Sequence, residues 1–131
     1  MTDYSIGEVS DRTGLSHDTL RYYEKIGLLG RVLRDAGGRR RYADKDISRL
    51  AFIQRAQSMN FSLQEIGELL HFREKPLQAR PEVLALTQSK HQQVVARIDQ
   101  LEHLRDELDL LLNLCRESQG ESCPILDNLE S

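Results

Sequence analysis

The sequence predicts a mainly α fold, with a small winged helix-turn-helix unit followed by one long helix built to pair with a second copy of itself. Three observations carry that expectation. Two short capped helices flank a glycine turn between Ser5 and Gly27, two β-compatible pieces flank Gly37-Gly38 in an arginine-rich stretch, and a heptad pattern runs from Leu84 to Cys115.

The first helix is announced by Ser5-Ile6-Gly7-Glu8, a capping box with Ser at the cap and Glu three residues on, and it runs towards Thr13 before Gly14 ends it. Ser16 caps a second helix, Asp18 to Lys25, which stops at Gly27. This spacing suits a helix-turn-helix, and it also suits a plain αα-hairpin. The segment Gly30 to Tyr42 then reads as a small wing turning at Gly37-Gly38. Arg31, Arg34, Arg39, Arg40 and Arg41 crowd it. Five like charges repel unless an anion such as a phosphate backbone neutralises them, the alternative being a solvated basic loop.

Asp44 is read as the cap of a third helix ending at Ser58, with Ile47, Leu50, Ala51, Ile53 and Ala56 as its apolar stripe. Asn60 or Phe61 breaks the chain there. Ser62-Leu63-Gln64-Glu65 is another capping box, opening a helix to Phe72 that buries Leu63, Ile66, Leu69 and Leu70. Phe52, Phe61 and Phe72 are expected in the core, and residues 73–80 as a linker into the long helix.

From Leu84, steps of three and four residues give Leu84, Thr87, His91, Val94, Ile98, Leu101, Arg105, Leu108, Leu112 and Cys115, a seam with three polar interruptions. Pro81 suits a first helical turn, and Glu82 favours the positive end of the helix dipole. A helix from Pro81 to Cys115 would run roughly 50 Å and must pack against something equally long, most simply a twin. The expected organisation is therefore residues 1–75 for the winged unit with a helical linker subdomain, 76–115 for the dimerisation helix, and 116–131 for a loop and short terminal helix.

With 131 residues, 39% hydrophobic and 30% charged, the chain has room for one small domain plus an extended element. No apolar run reaches the ~20 residues of a membrane span and no apolar signal region opens the chain, so a cytoplasmic location is expected. The net charge of −3 hides an asymmetry: residues 1–56 hold eleven Lys and Arg against eight Asp and Glu (+3), the remainder seven against thirteen (−6). Nucleic acid would go to the basic part, by docking of one face rather than by general attraction to polyanions. No Ser/His/Asp set, Walker-type loop or paired-carboxylate cleft suggests an enzyme.

Cys115 closes the seam, and Cys123 precedes Pro124 at the start of a short helix whose Ile125, Leu126 and Leu129 form an apolar face to fold back on the rod. A helix N-terminus stabilises a thiolate, so Cys123 is prepared to be a metal ligand or a reactive nucleophile. A reducing compartment favours reduced thiols or metal ligation over a disulfide. His91 and His103 read as surface or seam residues.

Tyr4 to Val9, Gly14-Leu15-Ser16, Thr19-Leu20-Arg21-Tyr22-Tyr23-Glu24, Gly27-Leu28, Arg34, the turn Gly38 to Tyr42, and Phe61 to Ile66 are the residues by which the chain resembles the MerR family of bacterial transcription regulators. The resemblance covers essentially the whole length. It implies an antiparallel coiled-coil homodimer, an effector site at the end of the long helix, and double-stranded promoter DNA as partner. The second helix would enter the major groove, with Ser16, His17, Thr19, Arg21 and Tyr22 as DNA contacts. Arg34, Arg40, Arg41 and Tyr42 would serve the wing. Arg39 stands where many members carry an aromatic residue, so its phosphate role is less well supported. Activation would follow from bending and untwisting a promoter whose spacer is too long for RNA polymerase.

The Cys-x7-Cys pair ending in Cys-Pro-Ile-Leu resembles the copper-efflux branch of that family, which implies Cu(I), Ag(I) or Au(I) as effector at Cys115 and Cys123. A soft monovalent ion is satisfied by two thiolates, whereas Zn(II) takes about four ligands. Relatives place Ser (monovalent sensors) or Cys (divalent or mercury sensors) at the start of the long helix. The matching residue here is Arg80, which cannot ligate a cation but can offset the charge of a bis-thiolate site. The alternatives are a divalent metal (Zn, Cd, Pb or Hg), thiol-oxidising or electrophilic stress sensed by the same pair, and a metal buffer that regulates nothing.

Overall fold

The computed structural model describes residues 3–120 and 122–130. Its elements in chain order are β1 (Asp3–Tyr4), α1 (Ile6–Thr13), α2 (His17–Lys25), β2 (Leu33–Arg34), β3 (Arg40–Ala43), α3 (Asp44–Ser58), α4 (Leu63–Phe72), α5 (Pro76–Glu117) and α6 (Pro124–Glu130). Two compact units divide the chain after Ala85, and α5 belongs to both.

In the first unit both capping boxes form as expected. Ser5 Oγ accepts from Glu8 N–H at 3.2 Å while Glu8 returns to Ser5 N–H, and Ser62 and Glu65 repeat the pattern at 3.1 and 2.8 Å. Gly14 closes α1 in the left-handed region (φ 76°) and Gly38 turns the wing in the same region (φ 79°), conformations a side chain would oppose. The turn between α1 and α2 is tied to α3 by Gln54, which donates to the Thr13 carbonyl at 2.7 Å, and to α1 by Ser10 Oγ, which donates to Leu15 O at 2.6 Å. Arg49 of α3 reaches the Leu28 carbonyl just beyond α2. The second helix is thus held at both ends.

The wing is a three-stranded antiparallel sheet in the order β1-β3-β2, with Tyr4 opposite Tyr42 and Arg34 opposite Arg40. Strand β1 has no counterpart among the sequence expectations; a two-residue strand has no periodicity to read. Val9, Leu20, Tyr42, Leu50, Ile53, Ile66 and Leu70 are fully buried and form the core where α1, α2, β3, α3 and α4 contribute one face each.

Several expectations change. Asp44 is the first residue of α3 rather than its cap, because its carboxylate accepts the Tyr4 hydroxyl at 2.8 Å; the buried Asp46 carboxylate instead accepts the Ala43 N–H at 2.8 Å. Of the three phenylalanines only Phe61 is buried. Phe52 and Phe72 are half-buried, and the Arg73 guanidinium covers the Phe52 ring at 5.0 Å. Ala51 lies on the exposed side of α3.

The long helix starts at Pro76, so Pro81 lies inside it. Pro76 fills the first-turn position that needs no N–H. Pro81 then withholds an N–H from the Leu77 carbonyl, a vacancy water can fill because Leu77 is 88% exposed. The 42 residues span about 63 Å.

Candidate nucleic-acid interface and thiol pair

Two sides of α2 divide its roles. Leu20 and Tyr23 are buried, while His17, Asp18, Arg21 and Tyr22 are exposed and Thr19 is half-buried. Ser16 caps the helix: its hydroxyl oxygen accepts the Thr19 N–H at 3.1 Å and its O–H meets Thr19 Oγ1 at 2.9 Å. Asp18 lies 3.3 Å from Arg21 Nη1, so one acid already partners the exposed guanidinium. His17, Arg21 and Tyr22 therefore share one solvent-facing side of a helix whose other side is locked in the core, with Ser16 at its cap and Thr19 at the edge of the buried face.

The wing arginines are not a bare cluster. Arg40 Nε donates to Glu24 Oε2 at 2.5 Å, joining β3 to α2 across side chains that are only about a fifth exposed. Arg34 lies 3.9 Å from the other Glu24 oxygen and donates from Nη1 to the Gly38 carbonyl at 3.1 Å. Arg41 grips Asp3 with Nη2 at 2.8 Å and Nε at 3.3 Å. That fork holds the Asp3 carboxyl below the usual carboxylate range and raises Arg41. Arg31 and Arg39 are exposed and carry no ion pair among the described residues.

Tyr42 departs from the expectation that it contacts DNA from the wing. Alternation along β3 turns it inward, opposite Tyr4, and it is fully buried, so it presents no surface to a phosphate. Its hydroxyl has no hydrogen-bond partner among the described residues, and burial pushes its pKa up. Glu24 and Asp3 are partners that sequence reasoning misses. The available signal is an acid on the helix preceding an arginine-rich hairpin, but nothing local sets the register of a pair 16 residues apart.

In the second unit Cys115 lies two residues before the end of α5 and is half-buried, with Ser118 Oγ donating to its carbonyl at 3.1 Å. The chain turns through Gly120, and Cys123 sits at the cap of α6, its carbonyl accepting the Asp127 N–H at 2.9 Å. Cys123 is also half-buried, and the two thiols are not bridged. Both thiols are soft ligands, and no cluster of three or more His, Cys, Asp or Glu occurs among the described residues. His103 is engaged inside its own helix, Nδ1 lying 2.8 Å from the Asp99 carbonyl. Arg80 is exposed. The expected folding back of α6 is incomplete: Ile125 is half-buried, but Leu126 and Leu129 are 59% and 73% exposed.

Comparison with known proteins places this arrangement. Residues 4–72 match the family described as MerR HTH family regulatory protein, and residues 47–111 match MerR, DNA binding. The chain is 38% identical to the HTH-type transcriptional regulator HmrR of Rhizobium leguminosarum bv. viciae, covering 95% of this chain and 96% of that protein. Identity is 33% to CueR of Salmonella typhimurium (95% and 91% covered) and 37% to ZntR of Escherichia coli (97% and 92%). Among solved structures, PbrR691 from Ralstonia metallidurans CH34 in complex with lead(II) superimposes with a TM-score of 0.81 at 33% identity, covering 96% of this chain and 98% of that one. HiNmlR, a MerR family regulator bound to promoter DNA, does so with a TM-score of 0.62 at 30% identity, covering 86% and 85%. The chain therefore belongs to the MerR family of helix-turn-helix regulatory proteins, DNA-binding regulators rather than enzymes.

Proposed function

We propose that the chain is a cytoplasmic, homodimeric regulator that holds a promoter palindrome and activates transcription when a soft monovalent ion, Cu(I), Ag(I) or Au(I), binds Cys115 and Cys123. The observation that carries the reading is that thiol pair: two half-buried, unbridged cysteines, with no group of three or more His, Cys, Asp or Glu that could hold an ion among the described residues. Two thiolates satisfy a soft monovalent ion and leave a divalent one short of ligands. Cys115 and Cys123 would hold the ion, which would supply a link between the end of α5 and the cap of α6; Ile125, Leu126 and Leu129 would then have a fixed position from which an apolar surface could cover them.

DNA contact is assigned to Ser16, His17, Thr19, Arg21 and Tyr22 on α2 and to Arg34, Arg40 and Arg41 in the wing, with Tyr42 anchoring β3 from inside. Regulation requires the ion to prefer one state of the DNA complex over the other by a few kcal/mol, the differential that shifts any two-state equilibrium. Distortion of the promoter, read by RNA polymerase, is the output.

A divalent ion is the second reading, favoured by the lead(II) complex of PbrR691. Affinities of the reduced protein for Cu(I), Ag(I), Zn(II) and Hg(II), repeated with Cys115→Ser and Cys123→Ser, separate the two. The expected result is tight Cu(I) and Ag(I) binding lost in both variants. Variants that respond to copper as well as the parent would remove the site, and a Zn(II) preference would hand it to the divalent reading. Arg80→Ser is expected to keep binding while changing the ranking of the four ions.

A further inference from the structure

We propose that Glu24 and Asp3 are built-in counter-ions that hold down the sequence-independent DNA affinity of the wing, which makes them specificity-determining residues; this rests on the reading of the first unit as the DNA-binding unit. From Arg31 to Arg41 the chain carries five arginines and one aspartate, a balance of +4; adding Glu24 and Asp3 brings it to +2. Asp35 is occupied with the Gly37 and Arg39 N–H groups at 2.9 and 3.0 Å, so its charge serves the turn. Glu24 and Asp3 instead reach from other elements, one from α2 and one from β1, onto the guanidinium groups of Arg40 and Arg41.

Such pairing matters because random duplex binding depends on arginines replacing condensed counter-ions at phosphates. An arginine already held at 2.5–2.8 Å by its own carboxylate must share or surrender that partner to meet a phosphate. On a duplex of the wrong shape the exchange is poorly aligned and gains little. On the right one, phosphates held in register by base contacts from α2 make it worthwhile. The Glu24–Arg40 pair is shielded enough to resist screening, at 20% and 24% side-chain exposure, so it keeps its grip at physiological salt. Arg34, 3.9 Å from the same carboxylate, is restrained along with it.

The test compares wild type, Glu24→Gln and Asp3→Asn, as full-length proteins, on a pool of random-sequence duplexes and on a duplex selected by the wild-type protein. Binding is followed by fluorescence anisotropy between 50 and 200 mM salt. Glu24→Gln is expected to bind random duplex several-fold more tightly at the lowest salt, with the slope of log affinity against log salt steeper by about one to two. The gain should shrink by about 3.5-fold per freed contact over that fourfold salt range. Asp3→Asn should steepen the slope by about one, and the ratio of selected to random affinity should fall in both variants. Adding Arg40→Gln to Glu24→Gln should cancel most of the gain. A purely structural role would weaken binding to both duplexes, and that result, or an unchanged slope, in either variant would overturn the proposal. Asp3, on the sheet edge and 58% exposed, decides the matter should the α2 variant fold poorly. Wild type that binds no duplex at low salt would instead remove the DNA-binding reading itself.

Discussion

The two units of the chain are completed in opposite ways. Residues 3–85 bury Val9, Leu20, Leu50, Ile53, Ile66 and Leu70 among themselves, cap three of their helices with serine side chains, and give Arg40 and Arg41 carboxylate partners. Beyond Leu86 the pattern reverses. Every residue from His91 to Leu110 is exposed, including Val94, Ile98, Leu101 and Leu108, which fall at heptad spacing on one side of α5. A lone amphipathic helix of that length has little to hold it, since most helical stability in proteins comes from packing an apolar face. The first unit carries its own core, and the second leaves the apolar residues of α5 exposed.

That contrast makes its sharpest prediction at the seam. In the proposed homodimer, Leu101→Asp would place a carboxylate from each copy in the paired seam, and the dimer dissociation constant should rise by about 100-fold or more, roughly 3 kcal/mol. Sedimentation equilibrium reads it, while the thermal unfolding of the first unit should not move. An unchanged dimer constant would mean that the seam is covered by something else. In the first unit, Leu50→Ala should cost about 2–5 kcal/mol in chemical denaturation, because the site is fully closed by neighbours. Leu110→Ala, off the seam and 59% exposed, should stay within about 0.5 kcal/mol. Equal losses at Leu50 and Leu110 would erase the distinction between the units.

Smaller effects sharpen how the first unit is held. Ser62→Ala removes the acceptor for the Glu65 N–H and should cost about 1 kcal/mol, readable in the same denaturation series. The pH dependence has a definite sign at each end. Asp3, held down chiefly by the Arg41 fork, and Glu8, held down chiefly by Ser5, contribute stability above the ordinary carboxylate range and lose it as pH falls through their lowered values. Tyr4 is raised, first by its hydrogen bond to Asp44, so its contribution is complete below the ordinary tyrosine value and is lost as pH rises through the folded one. Tyr4→Phe should flatten the alkaline limb, and Asp3→Asn should flatten part of the acid limb. A steeper limb in either variant would contradict the assigned signs.

Features set by neighbours in the chain are legible from the amino-acid sequence alone. The Ser5/Glu8 and Ser62/Glu65 boxes are three-residue patterns, the seam is a repeat, and Cys123-Pro124 marks its own helix start. What escapes such reading depends on register between distant segments. Strand β1 is two residues long, Glu24 finds Arg40 only because β3 packs beside α2, and a one-residue shift along β3 decides whether Tyr42 or Arg41 faces the core. Pro81 misleads for a different reason. Both Pro76 and Pro81 suit a helix start, and a proline in the second turn costs only one exposed carbonyl its partner. The thiol pair is legible as two cysteines at a helix end; the exposure of Leu126 and Leu129 is not, because it depends on how α6 meets distant residues rather than on its own spacing.

The most direct test of the central claim, that two sulfurs are enough, is X-ray absorption at the copper edge of the reduced protein loaded with one Cu(I) per chain. Two sulfur neighbours and no nitrogen are expected, with the signal lost in Cys115→Ser and in Cys123→Ser. Three or more ligands around the ion, or a first shell that survives either substitution, would contradict it.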